Sequence, residues 1–149
     1  ATGNEAGSGL GQGPQGICPE GWSIPTAEDW ADLAMAVSAG EVDDFYQTWP
    51  NLGSVLSADA LENQERMWPY SPDNRHENTY GWNAFPAGNS RDSHNRFENV
   101  GTYGMWWSST EKDEANAYYR YIYYNHSDCQ VHFVDKQEFG MPVRCVRLK

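Results

Sequence analysis

The chain has 149 residues, of which 10 are basic and 21 acidic, giving a formal net charge of -11. Residues 1–65 carry 11 acidic side chains and no Lys, Arg or His, whereas residues 66–149 balance 10 acidic against 10 basic ones. Such an acidic half repels polyphosphate, which excludes nucleic acid and anionic membrane as favoured partners. The length fits one domain, 39% hydrophobic residues can build a core, and no apolar run is long enough to span a membrane.

Residues 1–16 form a Gly-rich arm that precedes the domain. They hold six glycines and one aliphatic residue larger than Ala, Leu10, which is too little to build a core. We therefore divide the chain into an arm at 1–16 and a single domain at 17–149. An arm of this composition is ordered only when its own domain or a neighbouring molecule holds it. Self-assembly through residues 1–16 is thus an open alternative.

The first structured segment predicts two helices in succession. Thr26 is a suitable N-cap for a helix from Ala27, with acidic residues in the first turn and Gly40 as a stop signal. Apolar side chains then follow the i, i+3, i+4, i+7 rule. A second short helix is predicted from Val42 to Trp49, ended by Pro50.

The remainder of the chain predicts loops followed by strands. Residues 51–98 break into turns, with one or two helical turns expected within 57–66. From residue 101 onward four runs of aromatic and β-branched residues predict strands: MWWSS, AYYRYIYY, QVHFV and MPVRCVRL. Early helices and a late, mostly antiparallel sheet make an α+β domain.

Three cysteines leave the redox state of the chain open. Cys18 and Cys145 lie near the two ends of the domain, and they could form a bridge or remain buried thiols of a cytosolic protein. Cys129 is left over in the polar stretch HSDCQ, between His126 and His132. Three-residue spacing could bring these three together as metal ligands, but a strand–loop–strand with outward polar residues explains it better.

No catalytic set can be assembled from the sequence. A P-loop, a G-x-S-x-G elbow and an H-E-x-x-H motif are all absent, so we expect no enzyme activity. Calcium is the one cofactor for which the sequence offers oxygen ligands, and solvated turns account for these residues equally well. The candidate calcium ligands lie in the segments 71–78 and 91–99: Asp73, Asn74, Glu77, Asp92, Asn95 and Glu98.

The strand AYYRYIYY carries the most informative pattern. Alternation places Tyr119, Tyr121 and Tyr123 on one face. The other face carries Tyr118, Arg120, Ile122 and Tyr124. Because both faces cannot be core in a small one-sided sheet, we expect one face to be presented outward. Tyr and Trp give large contact areas with few rotatable bonds, which suits binding.

Several segments, read together, resemble a known family. They are CPEGWSIPTAEDWADL (18–33), YGWNAFPAGNSRD (80–92), FENVGTYGMWWSSTE (97–111), NAYYRYIYY (116–124) and FGMPVRCVRL (139–148). In this order they resemble the Fibrobacter succinogenes major paralogous domain over residues 17–149. That family is similar to the C-type lectin fold, in the variety shared with the formylglycine-generating enzyme. The resemblance implies a Cys18–Cys145 disulfide, nearby termini, and an extracellular or cell-surface location after removal of a signal peptide.

The departures from the family pattern limit what carries over. The lectin sugar-binding triplets EPN, QPD and WND are absent, as is a free cysteine pair like that of the formylglycine enzyme, and the Gly-rich arm replaces an N-terminal strand. Lectin-like domains of this kind are also targets of retroelements that diversify adenine-containing codons. All residues of 123–135 except Gln130 have a codon ending in a pyrimidine, a pattern that ordinary loop composition also produces.

The sequence therefore predicts a non-enzymatic extracellular binding or adhesion module for a protein or glycan, with diversification of residues 123–135 as an added hypothesis. The alternative is a structural subunit of a surface fibre or pilus, assembled through residues 1–16. The predicted ligand-binding residues lie on the tyrosine face and the adjoining loop: Tyr119, Tyr121, Tyr123, Asn125, His126, Asp128 and His132.

Overall fold

The computed structural model describes residues 13–147, which form a mixed α+β domain. The helices and strands are α1 (Ala27–Val37), α2 (Leu52–Leu56), β1 (Trp22–Ser23), β2 (Leu61–Glu62), β3 (Glu65–Arg66), β4 (Asn89–Arg91), β5 (Arg96–Glu98), β6 (Tyr103–Glu111), β7 (Asn116–Tyr123), β8 (Cys129–Asp135) and β9 (Val146–Arg147). The central sheet has the order β6-β7-β8, and β1-β9, β2-β3 and β4-β5 form separate antiparallel pairs. Neither helix is long and apolar enough to cross a membrane.

Helix α1 confirms the first predicted helix. The Thr26 side chain accepts from the backbone N–H of Asp29, and the Asp29 carboxylate accepts from the Thr26 N–H at 2.9 Å, which closes a capping box. The helix buries Trp30 and Ala34 against the core. Gly40, with φ of 85°, donates to the carbonyl of Met35 and ends the element as predicted.

The predicted helix from Val42 to Trp49 is wrong, because backbone groups of this segment form hydrogen bonds with distant residues instead of with one another. The Arg120 guanidinium donates to the carbonyls of Phe45 and Gln47 at 2.7 and 2.9 Å. The N–H of Trp49, which would close a helical turn on Phe45, donates to the carbonyl of Cys129 instead. The second helix is α2, which begins after Pro50 and Asn51.

Two further predictions need correction. Residues 57–66 contain the hairpin β2-β3 in place of helical turns, since Asn63 and Gln64 both adopt positive φ and form a two-residue turn. Residues 105–109, 117–123 and 130–134 of the predicted strands lie in β6, β7 and β8, but among the described residues of the last run only 146–147 belong to a strand. Pro142 within that run has no N–H to donate, and its carbonyl accepts from Trp107.

The two ends of the described chain meet. Trp22 of β1 pairs with Arg147 of β9, and a Cys18–Cys145 disulfide confirms the bridge that the family resemblance implied. Of the predicted arm, residues 1–12 lie outside the described residues. Residues 13–16 contact their own domain: the Pro14 carbonyl accepts from Ile24 at 2.9 Å, and the Gln15 carbonyl accepts from Cys18 at 2.9 Å.

The central sheet is covered on both sides. One face packs on the larger core, which α1, α2 and the loops complete. The other face carries a smaller cluster, centred on Trp107 and Tyr119, on which residues 139–143 pack. This cover explains why Tyr119 is only 9% exposed, although its strand face was expected to point outward. The larger cluster includes Trp30, Phe45, Trp49, Leu52, Leu56, Trp68, Trp106 and Ile122.

Candidate functional site

Four tyrosines form a continuous strip on the face opposite the larger core. Alternation along β7 places Tyr119, Tyr121 and Tyr123 on this face, and Tyr103 of β6 pairs in register with Tyr123. The ring centroids of Tyr103 and Tyr123 are 4.6 Å apart, and those of Tyr119 and Tyr121 are 5.6 Å apart. We call Tyr103, Tyr119, Tyr121 and Tyr123 the tyrosine strip; its covered end is Tyr119, and the other three are half-buried.

The tyrosine strip leads into a polar depression at the β7-β8 turn. This turn pocket has a volume of about 440 Å³ and is lined by Asp73, Asn125, His126, Ser127, Asp128 and Gln130. The Tyr121 hydroxyl donates to Oε1 of Gln130 at 2.7 Å, and the Tyr123 ring meets His126 edge-on at 5.2 Å between centroids. Strip and pocket therefore form one contiguous surface.

Helix α2 and the loop before residue 75 hold the turn pocket in place. The N–H of Ser54 donates to the Ser127 carbonyl at 3.0 Å, and Ser71 donates through its hydroxyl to the Asn125 amide oxygen. Gly53 lies so close to the turn that a Cβ there would be 2.3 Å from the Asp128 carbonyl oxygen. The turn is thus fixed by backbone contacts, which pre-organise its side chains.

The structure places all seven sequence-predicted ligand residues along this surface. Asn125, His126 and Asp128 line the turn pocket, and the three tyrosines belong to the strip. His132 is exposed on β8 opposite Tyr119, with ring centroids 6.3 Å apart. Tyr119 is the least accessible of the seven.

Four residues of this surface were missed from the sequence: Tyr103, Asp73, Ser127 and Gln130. Tyr103 and Gln130 could have been found by extending the alternation to β6 and β8, because they lie opposite Tyr123 and Tyr121 in register. Asp73 carried no usable signal, since the Ser71–Asn125 hydrogen bond brings its loop to the turn across 54 residues of sequence.

The tyrosine strip is neutral and rich in hydrogen-bonding hydroxyls. Burial raises the pKa of Tyr119 to about 12, with the neighbouring Tyr121 and Tyr103 adding to the effect. Burial and Tyr103 likewise raise the pKa of Tyr121. Both phenols stay protonated at neutral pH, so the strip offers stacking and hydrogen bonding, whereas the acidic side chains Asp73 and Asp128 lie in the turn pocket.

The described residues contain no cluster suited to a metal ion. Nowhere in 13–147 do three or more His, Cys, Asp or Glu side chains meet at ligating distance. Cys129 is buried while His126 and His132 are exposed, so the predicted alternative of a shared site is not realised there.

The six candidate calcium ligands are spread over two loops. Asp92 pairs with Arg96 at 3.1 Å, and Glu98 pairs with Arg96 at 3.8 Å. Asn74 is buried, and its side-chain oxygen accepts from the N–H of His76. Asp73 lines the turn pocket, and Glu77 and Asn95 are exposed.

The fold and this surface define a small disulfide-bridged α+β domain with an aromatic and polar face. The family model of the Fibrobacter succinogenes major domain matches the sequence at residues 8–147, so the chain belongs to that bacterial family. No curated protein and no solved structure matches the chain significantly.

Proposed function

We propose that this domain is a non-enzymatic extracellular or cell-surface binding module that holds a protein or glycan on the tyrosine strip and turn pocket. The single observation that supports this proposal is the contiguity of the two: phenol rings, an imidazole and polar turn side chains contact one another without a break. Rigid aromatic side chains lose little entropy on binding, and the polar turn supplies directional hydrogen bonds.

The location rests on the disulfide as well as on the family resemblance. The Cys18–Cys145 disulfide closes almost the whole domain into one loop, because the two cysteines have a sequence separation of 127. Disulfides of this structural kind persist in oxidising compartments and are rare in the cytosol. The C-type-lectin-like character of the fold belongs to the proposal in the same way, as an implication of the resemblance.

A screen against a glycan array and a panel of purified extracellular-matrix proteins tests the function. We expect Tyr123→Ala and His126→Ala to lower binding to any hit at least tenfold, because each removes a ring of the contiguous surface. Tyr70→Ala is the matched control, since this tyrosine is 80% exposed and lies outside the strip. Equal losses in all three variants, or losses that track a lower melting temperature, would overturn the proposal.

Diversification would act on the same surface. Residues 123–135 comprise the last residue of β7, the turn and all of β8. Sequencing sibling copies from one population tests this part: the proposal expects substitutions concentrated at these positions, and uniform residues there would contradict it.

The fibre-subunit alternative now concerns residues 1–12, since residues 13–16 bond to their own domain. Deleting residues 1–12 and examining the product by electron microscopy separates the two functions. Filaments that the full chain forms and the shortened chain does not would favour the fibre subunit, whereas ligand binding by both proteins and filaments from neither would favour the binding module.

A further inference from the structure

A second cavity lies on the other side of the central sheet, between α1 and the disulfide-linked C-terminal segment. It has a volume of about 130 Å³. Its walls are Pro25, Asp29, Trp30, Leu33, Trp82, Arg144, Cys145 and Val146. This volume is close to that of a cavity of roughly 150 Å³ that holds a benzene ring, so the cavity is about the size of a single small ring. None of its residues belongs to the tyrosine strip or the turn pocket.

Two indole rings and a guanidinium define the chemistry of the cavity. The centroids of Trp30 and Trp82 are 6.0 Å apart, with ring planes inclined at 54°. The guanidinium carbon of Arg144 lies 3.9 Å from the centroid of the Trp82 ring. Stacking of this kind orients the planar fork of an arginine, which suits it to bidentate binding of a carboxylate.

The donors of Arg144 and of Trp30 lack an acceptor in the described residues, but only those of Arg144 open onto the cavity. Arg144 forms no ion pair there, although its guanidinium carries five N–H donors. Trp30 is 3% exposed, and its indole N–H is buried without a hydrogen-bond partner. Because this N–H is closed to solvent, the unmet donors that open onto the cavity are those of Arg144, beside apolar walls.

The wall residue Asp29 has its charge directed elsewhere. Its Oδ2 accepts from the N–H and the hydroxyl of Thr26, at 2.9 and 3.2 Å, in the capping box of α1. The positive end of the α1 dipole offsets the charge of a carboxylate in the first turn. Asp29 therefore does not give the cavity the character of a cation site.

We propose that this cavity binds a small ring carboxylate. The ring would lie against the indoles of Trp30 and Trp82, which contact each other, and the carboxylate would accept from the guanidinium of Arg144. The disulfide at Cys145 fixes the segment that carries Arg144 relative to the rest of the domain. This site does not depend on the function proposed for the tyrosine strip.

An NMR titration of the full chain with benzoate and with galacturonate tests the proposal. The indole resonance of Trp30 reports on the cavity directly. For a ligand of about ten heavy atoms we expect a Kd of the order of 1 mM for at least one of the two acids. The two probes distinguish a flat aromatic acid from a sugar acid, and benzyl alcohol and methyl galactoside are the neutral counterparts.

Two variants separate the carboxylate contact from simple hydrophobic filling. Arg144→Gln should weaken the binding of the acid about tenfold or more, because it removes the charge-assisted hydrogen bonds. Arg91→Gln is the matched control: its guanidinium also lies over an aromatic ring, that of Phe139 at 5.4 Å, but away from the cavity. It should leave the Kd unchanged.

Three results would overturn the inference. They are an unshifted Trp30 indole resonance with 20 mM of either acid (about twentyfold over the expected Kd), equal affinity for the neutral counterparts, and equal effects of Arg144→Gln and Arg91→Gln. Because Arg144 is exposed at the molecular surface, its variant is expected to stay folded, which the amide spectrum verifies.

Discussion

Arg120 is the residue on which the middle of the domain is organised. Its side chain is 0% exposed, and it donates to three carbonyls, those of Phe45, Gln47 and Cys129. The guanidinium carbon also lies 3.6 Å from the centroid of the Trp49 ring. Burial lowers the pKa of Arg120, yet a guanidinium stays protonated, so the fold keeps a buried positive charge on backbone acceptors.

We expect Arg120→Met to lower the free energy of unfolding by about 3–5 kcal/mol, because it leaves buried carbonyls without donors. Arg120→Lys should cost somewhat less but cannot satisfy all three carbonyls, since a lysine lacks the planar fork. Urea denaturation measures both. Arg75→Met is the control on an exposed arginine, and a loss as small as that of the control would contradict this role for Arg120.

His76 makes the stability of the domain depend on pH. It is 4% exposed and stacks on Trp68 with ring centroids 5.4 Å apart. Burial lowers the pKa of His76, and the positive charge of Arg66 lowers it further. Between the folded value and the ordinary value of about 6.5, the unfolded chain binds more protons, so stability falls as the pH drops through this range.

The expected result is that wild type loses more stability than His76→Phe between pH 7.5 and pH 5. Thermal unfolding at both pH values measures this difference, and it cancels the contribution of carboxylates common to the two proteins. His126→Phe, at an exposed imidazole, is the control for the replacement of a histidine as such. Parallel losses in wild type and His76→Phe would show that His76 does not titrate in this way.

Elements specified by nearby residues could be predicted from the sequence, whereas elements that depend on distant contacts could not. Helix α1 could be predicted because its capping box, apolar spacing and Gly40 stop all lie within 15 residues of chain. The segment 42–49 has a helical apolar pattern too, but its carbonyls are taken by an arginine about 75 residues away. No local pattern encodes such a partner, and tertiary contacts override propensity there.

In the candidate site, too, only the residues with a local sequence signal could be predicted. Alternation along one strand predicted the tyrosines, and adjacency in sequence predicted the turn residues. The cavity beside Arg144 could not be predicted, since Trp30, Trp82 and Arg144 come from three separate segments that only the folded chain joins.

Helix α2 packs closely against the β7-β8 turn, so a side chain added at Gly53 should disturb this contact. Gly53→Ala places a Cβ 2.3 Å from the Asp128 carbonyl oxygen and 2.8 Å from that of Ser127, and both are backbone atoms that cannot simply rotate away. We expect a loss of about 2 kcal/mol in stability and shifted amide resonances at 125–130. In an unconstrained helix the same change would stabilise by about 0.5–1 kcal/mol. A stabilised protein with an unchanged turn would therefore refute the contact.

At the scale of the whole molecule, the disulfide and the charge asymmetry belong to the frame of the domain. The acidic residues 1–65 include both helices, whereas the balanced residues 66–149 include the central sheet and all six residues that line the turn pocket. Net acidity thus describes the scaffold, and the proposed surface combines neutral phenols with polar side chains and the two acidic residues Asp73 and Asp128.

The disulfide should contribute strongly to stability because its loop is long. For a sequence separation of 127 residues, loop-closure entropy predicts about 5 kcal/mol. We expect the double variant Cys18→Ala/Cys145→Ala to unfold at much lower urea concentration, and wild type in reducing agent to match it. Cys129→Ala leaves the bridge intact and is the control. A double variant as stable as this control would show that the bridge adds nothing.

The most direct test of the central claim is hydrogen–deuterium exchange of the domain with and without the strongest ligand from the binding screen. We expect protection on binding at residues 119–132, together with residues near Tyr103 and Asp73. Protection confined to α1, or to the exposed hairpin of β4 and β5, would contradict the assignment of recognition to the tyrosine strip and turn pocket.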